Sequence, residues 1–373
     1  MSENNTKKDK KPFIPPKLPP EGIDYSELIK DIGKTREAIA RYDEALKKLP
    51  NPYIIQHSFE TKEAVLSSKI EGTQVTLNEV LELDVARENK ETTKKERDYR
   101  EVVNYREAIR EGQKMLSKKP LSENVIKKLH KILLDSVRGK NKAPGKFRRR
   151  QVYIGDYGTT IEDARYIPPP PQDIIPLFSD LVKYINSDKA PDPTVQIAIS
   201  HYQFEAIHPF ADGNGRVGRI IVPLFLHQKE VTFSPNIYVS EFLEKNREEY
   251  YDKLKAVSEK KDWFGWIKFF LKALREQSKV TSERVEKVNN LYGSLMDNSA
   301  EFNSAYTPAL IEAIFKLPVF NIPKLHEVSG IKNRQTVYNL VNKLIKKGLI
   351  VDITPDKKRY KVYAFKKLLD IVN

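Results

Sequence analysis

The sequence predicts a mainly α-helical protein with one short β-hairpin and a C-terminal winged helix-turn-helix, and three observations carry that prediction. Residues 194–207 (TVQIAISHYQFEAI) and 220–228 (IIVPLFLHQ) are apolar nearly all round, the pattern of helices buried inside a domain. Most other segments repeat apolar residues at helical spacing. Past residue 307 the pattern shortens into three brief helices and two strand-like runs.

Taken in order, residues 1–20 are rich in Lys and Pro, which predicts a flexible arm ending in polyproline conformation at IPPKLPP. Spacing predicts a helix from Asp24 to Leu49, stopped by Asn51-Pro52. FETKEAVLSSKI (59–70) predicts a second helix, with Gly72 in the left-handed position just past its end. One long helix is expected from about Thr76 to Leu116, then a turn at Lys119-Pro120 and a helix from Ser122 to Val137. In the next stretch VYIG (152–155) and ARYI (164–167) should pair as a hairpin, followed by an extended run of four prolines. Residues 237–254 read as a short extended piece leading into one helix, 262–277 as a strongly apolar closing helix, and a helical connector reaches Leu295. Helices at 308–317, 322–329 and Asn333–Lys347 precede a hairpin of LIVDIT and KRYKVYAF turning at Pro355-Asp356. The expected domains are an arm (1–20), an N-terminal helical region (21–115), a core (116–285), a connector (286–306) and a winged helix (307–373).

Composition narrows the class. A chain of 373 residues can bury a sizeable core and form two compact units. With no cysteine, disulfides, thiol nucleophiles and cysteine-held metals are excluded. No apolar run is long enough to span a membrane and MSENNTKKDKKPF has no signal core, so a cytoplasmic location is expected. The net charge is +14, and residues 303–373 hold thirteen Lys or Arg against five Asp or Glu, which concentrates the attraction for an anionic partner there.

The most informative stretch is HPFADGNGRVGR (208–219). Glycines let backbone amides approach an anion, arginines make forked contacts to phosphate oxygens, and a carboxylate can hold the magnesium that accompanies a nucleotide. Because the stretch joins two buried helices, Gly213, Asn214 and Gly215 should open the second one, where free amides and the helix dipole favour phosphate. Pro223 should kink that helix. His208 is the evident general base. Each feature has a blander reading, since Asp-Gly-Asn-Gly is often a tight turn and arginines three apart are usually a solvated face.

The stretch resembles the signature of the Fic family, HPFx[DE]GNGRxxR, at His208, Pro209, Phe210, Asp212, Gly213, Asn214, Gly215, Arg216 and Arg219. That resemblance implies a Fic-type helical core and transfer of AMP from ATP to a protein hydroxyl. A kinase subgroup of the family has lysine where this chain has Gly215, so the adenylylating branch is favoured. The implied roles are His208 as base, Asp212 as Mg²⁺ holder, and Asn214 with neighbouring amides at the α-phosphate. Arg216 would meet the β-phosphate and Arg219 the γ-phosphate.

Further matches extend the resemblance. Ser67, Glu71 and Gly72 fit the family's inhibitory [ST]xxxE[GN] pattern, which implies that Glu71 pairs with Arg219 and displaces the γ-phosphate. Val152, Tyr153, Ile154 and Gly155 fall where the family has a hairpin flap that takes the target's backbone as an added strand. Asn246, Tyr250 and Tyr251 resemble an NRxxYY stretch at the adenine pocket, although tyrosines at helical spacing are commonly core.

The expected function is therefore Mg²⁺- and ATP-dependent adenylylation of a Ser, Thr or Tyr hydroxyl on an unidentified protein, restrained by Glu71. One rival is removal of AMP, with Glu71 positioning water. Another is a DNA-binding regulator whose core senses nucleotide. In the winged helix, DNA contacts would come from Asn333, Arg334, Gln335, Thr336 and Asn339, with Lys357, Lys358 and Arg359 near phosphates. Self-association, protein target and DNA site stay open at this stage.

Overall fold

The computed structural model describes residues 11–85, 93–135, 141–155, 158, 160–357 and 359–373. Within these the helices are α1 (Ile29–Lys47), α2 (Tyr53–Ile70), α3 (Leu77–Leu83), α4 (Lys94–Leu116), α5 (Glu123–Leu133), α6 (Ile174–Ile185), α7 (Pro193–Ile207) and α8 (Asn214–Gln228). They continue with α9 (Ser240–Lys245), α10 (Arg247–Lys260), α11 (Trp263–Asp297), α12 (Thr307–Lys316), α13 (Ile322–Ser329), α14 (Arg334–Lys346) and α15 (Lys366–Val372). β1 (Val319–Phe320), β2 (Val351–Asp352) and β3 (Tyr363–Ala364) form an antiparallel sheet in the order β1-β3-β2. The protein is mainly helical. Among the described residues no helix is long and apolar enough to cross a membrane.

Two compact units form, Met1–Glu37 with Glu107–Arg275 and Ala38–Arg106 with Glu276–Asn373, the divisions falling inside α1, α4 and α11. The boundaries expected at 115/116 and 285/286 run along the chain, whereas each unit draws on two separated stretches.

In the first unit α7 packs against both α6 and α8, so nearly every α7 side chain is buried. That is why 194–207 has no polar face. Asp192 opens the helix by accepting the Thr194 N–H at 2.7 Å, and Pro193 occupies the first turn, where a missing N–H costs nothing. Trp266 of α11 donates to the Ala198 carbonyl at 2.8 Å. Ile197, Phe204, Val217, Ile220, Phe225 and Phe270 are at most 1 % exposed, each contributing about 1.5–3 kcal/mol of burial. A Cβ at Gly218 would run into the Glu205 carboxylate, so glycine is what lets α8 lie against α7 there.

The second unit is organised around α2 and α12, which pack on each other, with α13 and α14 beyond. α3 starts with a complete capping box between Thr76 and Glu79 and ends where Asp84 turns inward. Arg106 of α4 grips that carboxylate with NH1 and NH2 at 2.7 and 2.8 Å, and Tyr99 donates to it at 2.8 Å. Against its burial, Arg106 and then His57, whose Nε2 lies 3.3 Å away, hold the Asp84 carboxyl well below the usual carboxylate range.

Several expectations are corrected. The single helix expected over 76–116 is two, α3 ending at Leu83 and α4 beginning at Lys94. The helix over 237–254 is broken at Asn246, which leaves helical geometry (φ −116°, ψ 38°) and donates its side chain back to the Phe242 carbonyl at 2.8 Å. α2 begins six residues early, at Tyr53. The hairpin of 152–155 with 164–167 shrinks to one bridge, Ile154 with Tyr166, since a lone two-stranded ribbon is marginal. β1 was not expected at all.

The arm is corrected over residues 11–20, the rest of it lying outside the described residues. Phe13 donates its N–H to the Ile167 carbonyl at 2.9 Å, Gln203 donates to the Pro16 carbonyl at 2.8 Å, and Leu18 donates to Asp180 at 3.0 Å. Local composition predicted flexibility; long-range hydrogen bonds and burial of Pro15, Leu18 and Pro20 override it.

Candidate functional site

The loop between α7 and α8 turns the chain through two left-handed residues. His208 ends α7 at φ 48°, ψ 60°, and Gly213 precedes α8 at φ 79°. For Gly213 that geometry is free, but for His208, which carries a Cβ, it costs about 1–2 kcal/mol. The loop is held at three places.

First, Asn214 closes it from within: its side-chain oxygen accepts the Phe210 N–H and its amide donates to the Phe210 carbonyl, both at 2.9 Å. At 2 % exposure this side chain is a loop brace.

Second, His130 of α5 supports it from beneath. The Gly145 N–H donates to Nδ1 at 2.8 Å, so the ring proton lies on Nε2, which donates to the Asp212 carbonyl at 2.9 Å. The imidazole also stacks on Phe210, 3.8 Å between centroids and 7° from parallel. Burial pushes His130 down to about 4, so it is neutral in the fold. An unfolded chain would take up that proton near the ordinary value of 6.5. Stability is therefore full above pH 6.5 and is lost as pH falls from there towards 4. Thermal midpoints recorded across this window should decline less in His130→Gln than in the wild type; superimposable curves would contradict this assignment.

Third, Arg148 fastens the start of the loop. Its Nε donates to the His208 carbonyl at 2.8 Å, NH2 to Pro169 at 2.6 Å and Ile207 at 3.4 Å, and NH1 to Arg150 at 3.3 Å. Sequence reasoning missed both Arg148 and His130. Within KFRRR one arginine looks like its neighbours, and a histidine on an amphipathic helix carries no signal.

Arg216 and Arg219 are each 1 % exposed, so the reading of a solvated arginine face fails. Arg216 NH2 lies 3.3 Å from the Asp212 carboxylate, whose side chain is 31 % exposed. His201 sits behind Arg219 in the core, pushed down to about 3 by burial and by the Arg219 charge. Its Nε2 is 2.9 Å from the Tyr250 hydroxyl. Tyr250, expected beside adenine, is instead a core residue at 2 % exposure, while Tyr251 next to it is 38 % exposed and Asn246 is half-buried.

On the flap, Val152 is half-buried, Tyr153 and Ile154 are 45 % and 37 % exposed, and Gly155 is exposed. Ile154 spends its N–H and carbonyl on Tyr166, which turns the backbone groups of Tyr153 and Gly155 to the opposite edge. Ser67, Glu71 and Gly72 lie in the second unit. Ser67 is fully buried, Glu71 caps the end of α2 at φ −88°, ψ 4°, and Gly72 follows at φ 96°.

A braced, glycine-bearing loop opens a buried helix in a mainly helical frame, with an imidazole at its start and two buried arginines behind it, an arrangement chemically suited to an anion such as phosphate. Residues 29–114 match the family model described as Fic/DOC family N-terminal, and residues 120–226 match that described as Fic/DOC family, together just over half of the chain. The chain belongs to the Fic/DOC family. It is similar to Protein adenylyltransferase fic-1 of Caenorhabditis briggsae, 30% identical over 142 residues that cover 38% of this chain and 24% of that protein. It is also similar to Protein adenylyltransferase Fic of Drosophila ananassae, 26% identical over 243 residues covering 62% and 43%. The chain thus spans less than half the length of these curated relatives. Its fold is similar to that of a Fic family protein from Desulfovibrio desulfuricans, with a TM-score of 0.59 at 24% identity, covering 93% of this chain and 98% of that one.

Proposed function

We propose that this protein transfers AMP from ATP to a Ser, Thr or Tyr hydroxyl of a target protein, with Glu71 holding the reaction in check. The observation that carries the reading is the loop itself: His208 stands at one end of an α-helix N-terminus whose third and sixth residues are fully buried arginines. His208 takes the proton of the target hydroxyl as its oxygen bonds to the α-phosphorus. The bond from that phosphorus to the bridging oxygen breaks and pyrophosphate leaves. Charge builds on the leaving group, where Arg216 and Arg219 stabilise it. Backbone amides at the start of α8 hold the α-phosphate, and the dipole of the helix adds to them.

Asp212 suits Mg²⁺, because a single partly exposed carboxylate with phosphate oxygens and water is an ordinary ligand set for that ion. When bound, Mg²⁺ would neutralise phosphate charge. Arg216 would then exchange Asp212 for a phosphate oxygen. Tyr251 and Asn246 remain the candidates for adenine, with Tyr250 packed behind Tyr251 at 5.2 Å between ring centroids. The outward edge of Tyr153 and Gly155 suits an added strand from the target. A cytoplasmic setting fits a reaction that consumes ATP. Incubation of wild-type and Glu71→Gly protein with α-labelled ATP and cell lysate tests the whole reading; label on no protein in either case would refute it.

A second reading concerns the C-terminal region, where the order α12-β1-α13-α14-β2-β3 supports a winged-helix arrangement. We infer that this region binds DNA through α14, which exposes Arg334, Gln335, Asn339 and Lys343 along one side while burying Val337, Leu340, Val341 and Leu344. Asn333, expected to contact bases, instead caps α14 by accepting from Gln335 N–H at 2.8 Å, and Thr336 is half-buried. Lys357 and Arg359 are exposed on the wing, and Lys358 lies outside the described residues. Affinity of the full chain for duplex DNA should fall linearly with salt on logarithmic axes, and Lys357→Ala should lower the slope by about one. Absence of binding at low salt would remove this reading and leave the region as a protein-contact module.

A further inference from the structure

We propose that Arg148 is a positioning residue that locks the stem of the flap to the backbone of His208, so that target engagement and base placement share one geometry. This rests on His208 being the base of the proposed transfer. The guanidinium reaches carbonyls in three separate places: Ile207 and His208 at the end of α7, Arg150 leading into the flap, and Pro169 leading out of it. Its own N–H donates to the Pro209 carbonyl at 2.9 Å, so backbone and side chain grip the same turn. Arg148 is 5 % exposed, and burial lowers its affinity for protons to about 10, a cost accepted only where every donor finds an acceptor. A second fastening runs in parallel, since Tyr166, the bridge partner of Ile154, donates its hydroxyl to the Ala206 carbonyl at 2.8 Å.

The geometry gives Arg148 a task that a packing residue lacks. His208 sits in a left-handed conformation before a proline, a backbone state disfavoured on both counts, and pinning its carbonyl fixes the Cα–Cβ bond that carries the imidazole. A planar fork with five fixed N–H directions can satisfy four carbonyls at once. A lysine ammonium has three donors on a flexible stem and cannot. The phosphate half of the loop is braced separately, by His130 at Asp212 and by Asn214 at Phe210. Loss of Arg148 therefore disturbs the base and the flap while leaving nucleotide contacts in place.

The test compares wild type and Arg148→Lys, each also in the Glu71→Gly background, by AMP transfer and by amide hydrogen exchange of the full chain. Arg148→Lys is expected to lower kcat by about tenfold or more while KM for ATP stays within about twofold. Exchange should quicken together at residues 150–155, 165–169 and 206–210, and not at 213–219. Tyr166→Phe, which leaves the ring in place, should shift both readouts in the same sense by a smaller factor. The proposal is overturned if kcat is unchanged, if KM for ATP rises as kcat falls, or if exchange quickens in only one of the three segments. If neither background labels protein, the transfer reading fails on its own, and the exchange pattern still decides whether flap and loop are locked together.

Discussion

His208→Ala is expected to lower AMP transfer by about a hundredfold or more while ATP binding, read by calorimetry, stays near the wild-type value. The separation follows from how the loop is built. Its shape is carried by Arg148 on the His208 carbonyl, His130 on the Asp212 carbonyl and Asn214 on the Phe210 backbone. None of these uses the imidazole. Alanine can hold the left-handed conformation at the usual Cβ penalty, which histidine bears somewhat more readily. The substitution therefore removes proton acceptance from the attacking hydroxyl and little else. Transfer at the wild-type rate would show that another group is the base.

Glu71→Gly is expected to raise AMP transfer by about tenfold or more, with self-modification rising as well because the chain meets its own site at high effective concentration. The fold should tolerate the change. Glu71 lies just past the last turn of α2, where a carboxylate opposes the helix dipole and glycine is a favoured terminator. On the proposed reading the Glu71 carboxylate opposes productive seating of the γ-phosphate, and its removal lets the α-phosphate align for in-line attack. Equal labelling by the two proteins would exclude an inhibitory Glu71. Loss of an AMP-removing activity in the variant would instead make Glu71 a hydrolytic residue and the reverse reaction the better description.

Much of the site was legible because its chemistry is local. Gly213, Asn214 and Gly215 announce a helix start, and the apolar runs on either side announce that the helix is buried. The burial of Arg216 and Arg219 follows from the same runs, since a guanidinium on a helix with no polar face has no solvent to reach. In the C-terminal region α12, α13 and α14 were predicted to within a residue for the same reason, their apolar period being unbroken, whereas α15 was not expected. Tyr250 and Tyr251 show the limit. Adjacent and chemically identical, they lie on opposite sides of the core surface, and only the packing of Trp266 and Phe269 against Tyr250 distinguishes them.

What the sequence by itself determined is the periodic helices and the loop that opens α8, because capping, glycine conformation and apolar period act within a few residues. Tertiary structure alone decided the docking of residues 11–20 and the bracing of the loop by His130 and Arg148. Those outcomes turn on partners far apart in the chain: Arg148 and His208 are separated by 60 positions, His130 and Asp212 by 82. A donor chooses among acceptors by distance and direction in space. Such a choice has no period and no spacing, and it exists only once α5, α7 and α8 have packed.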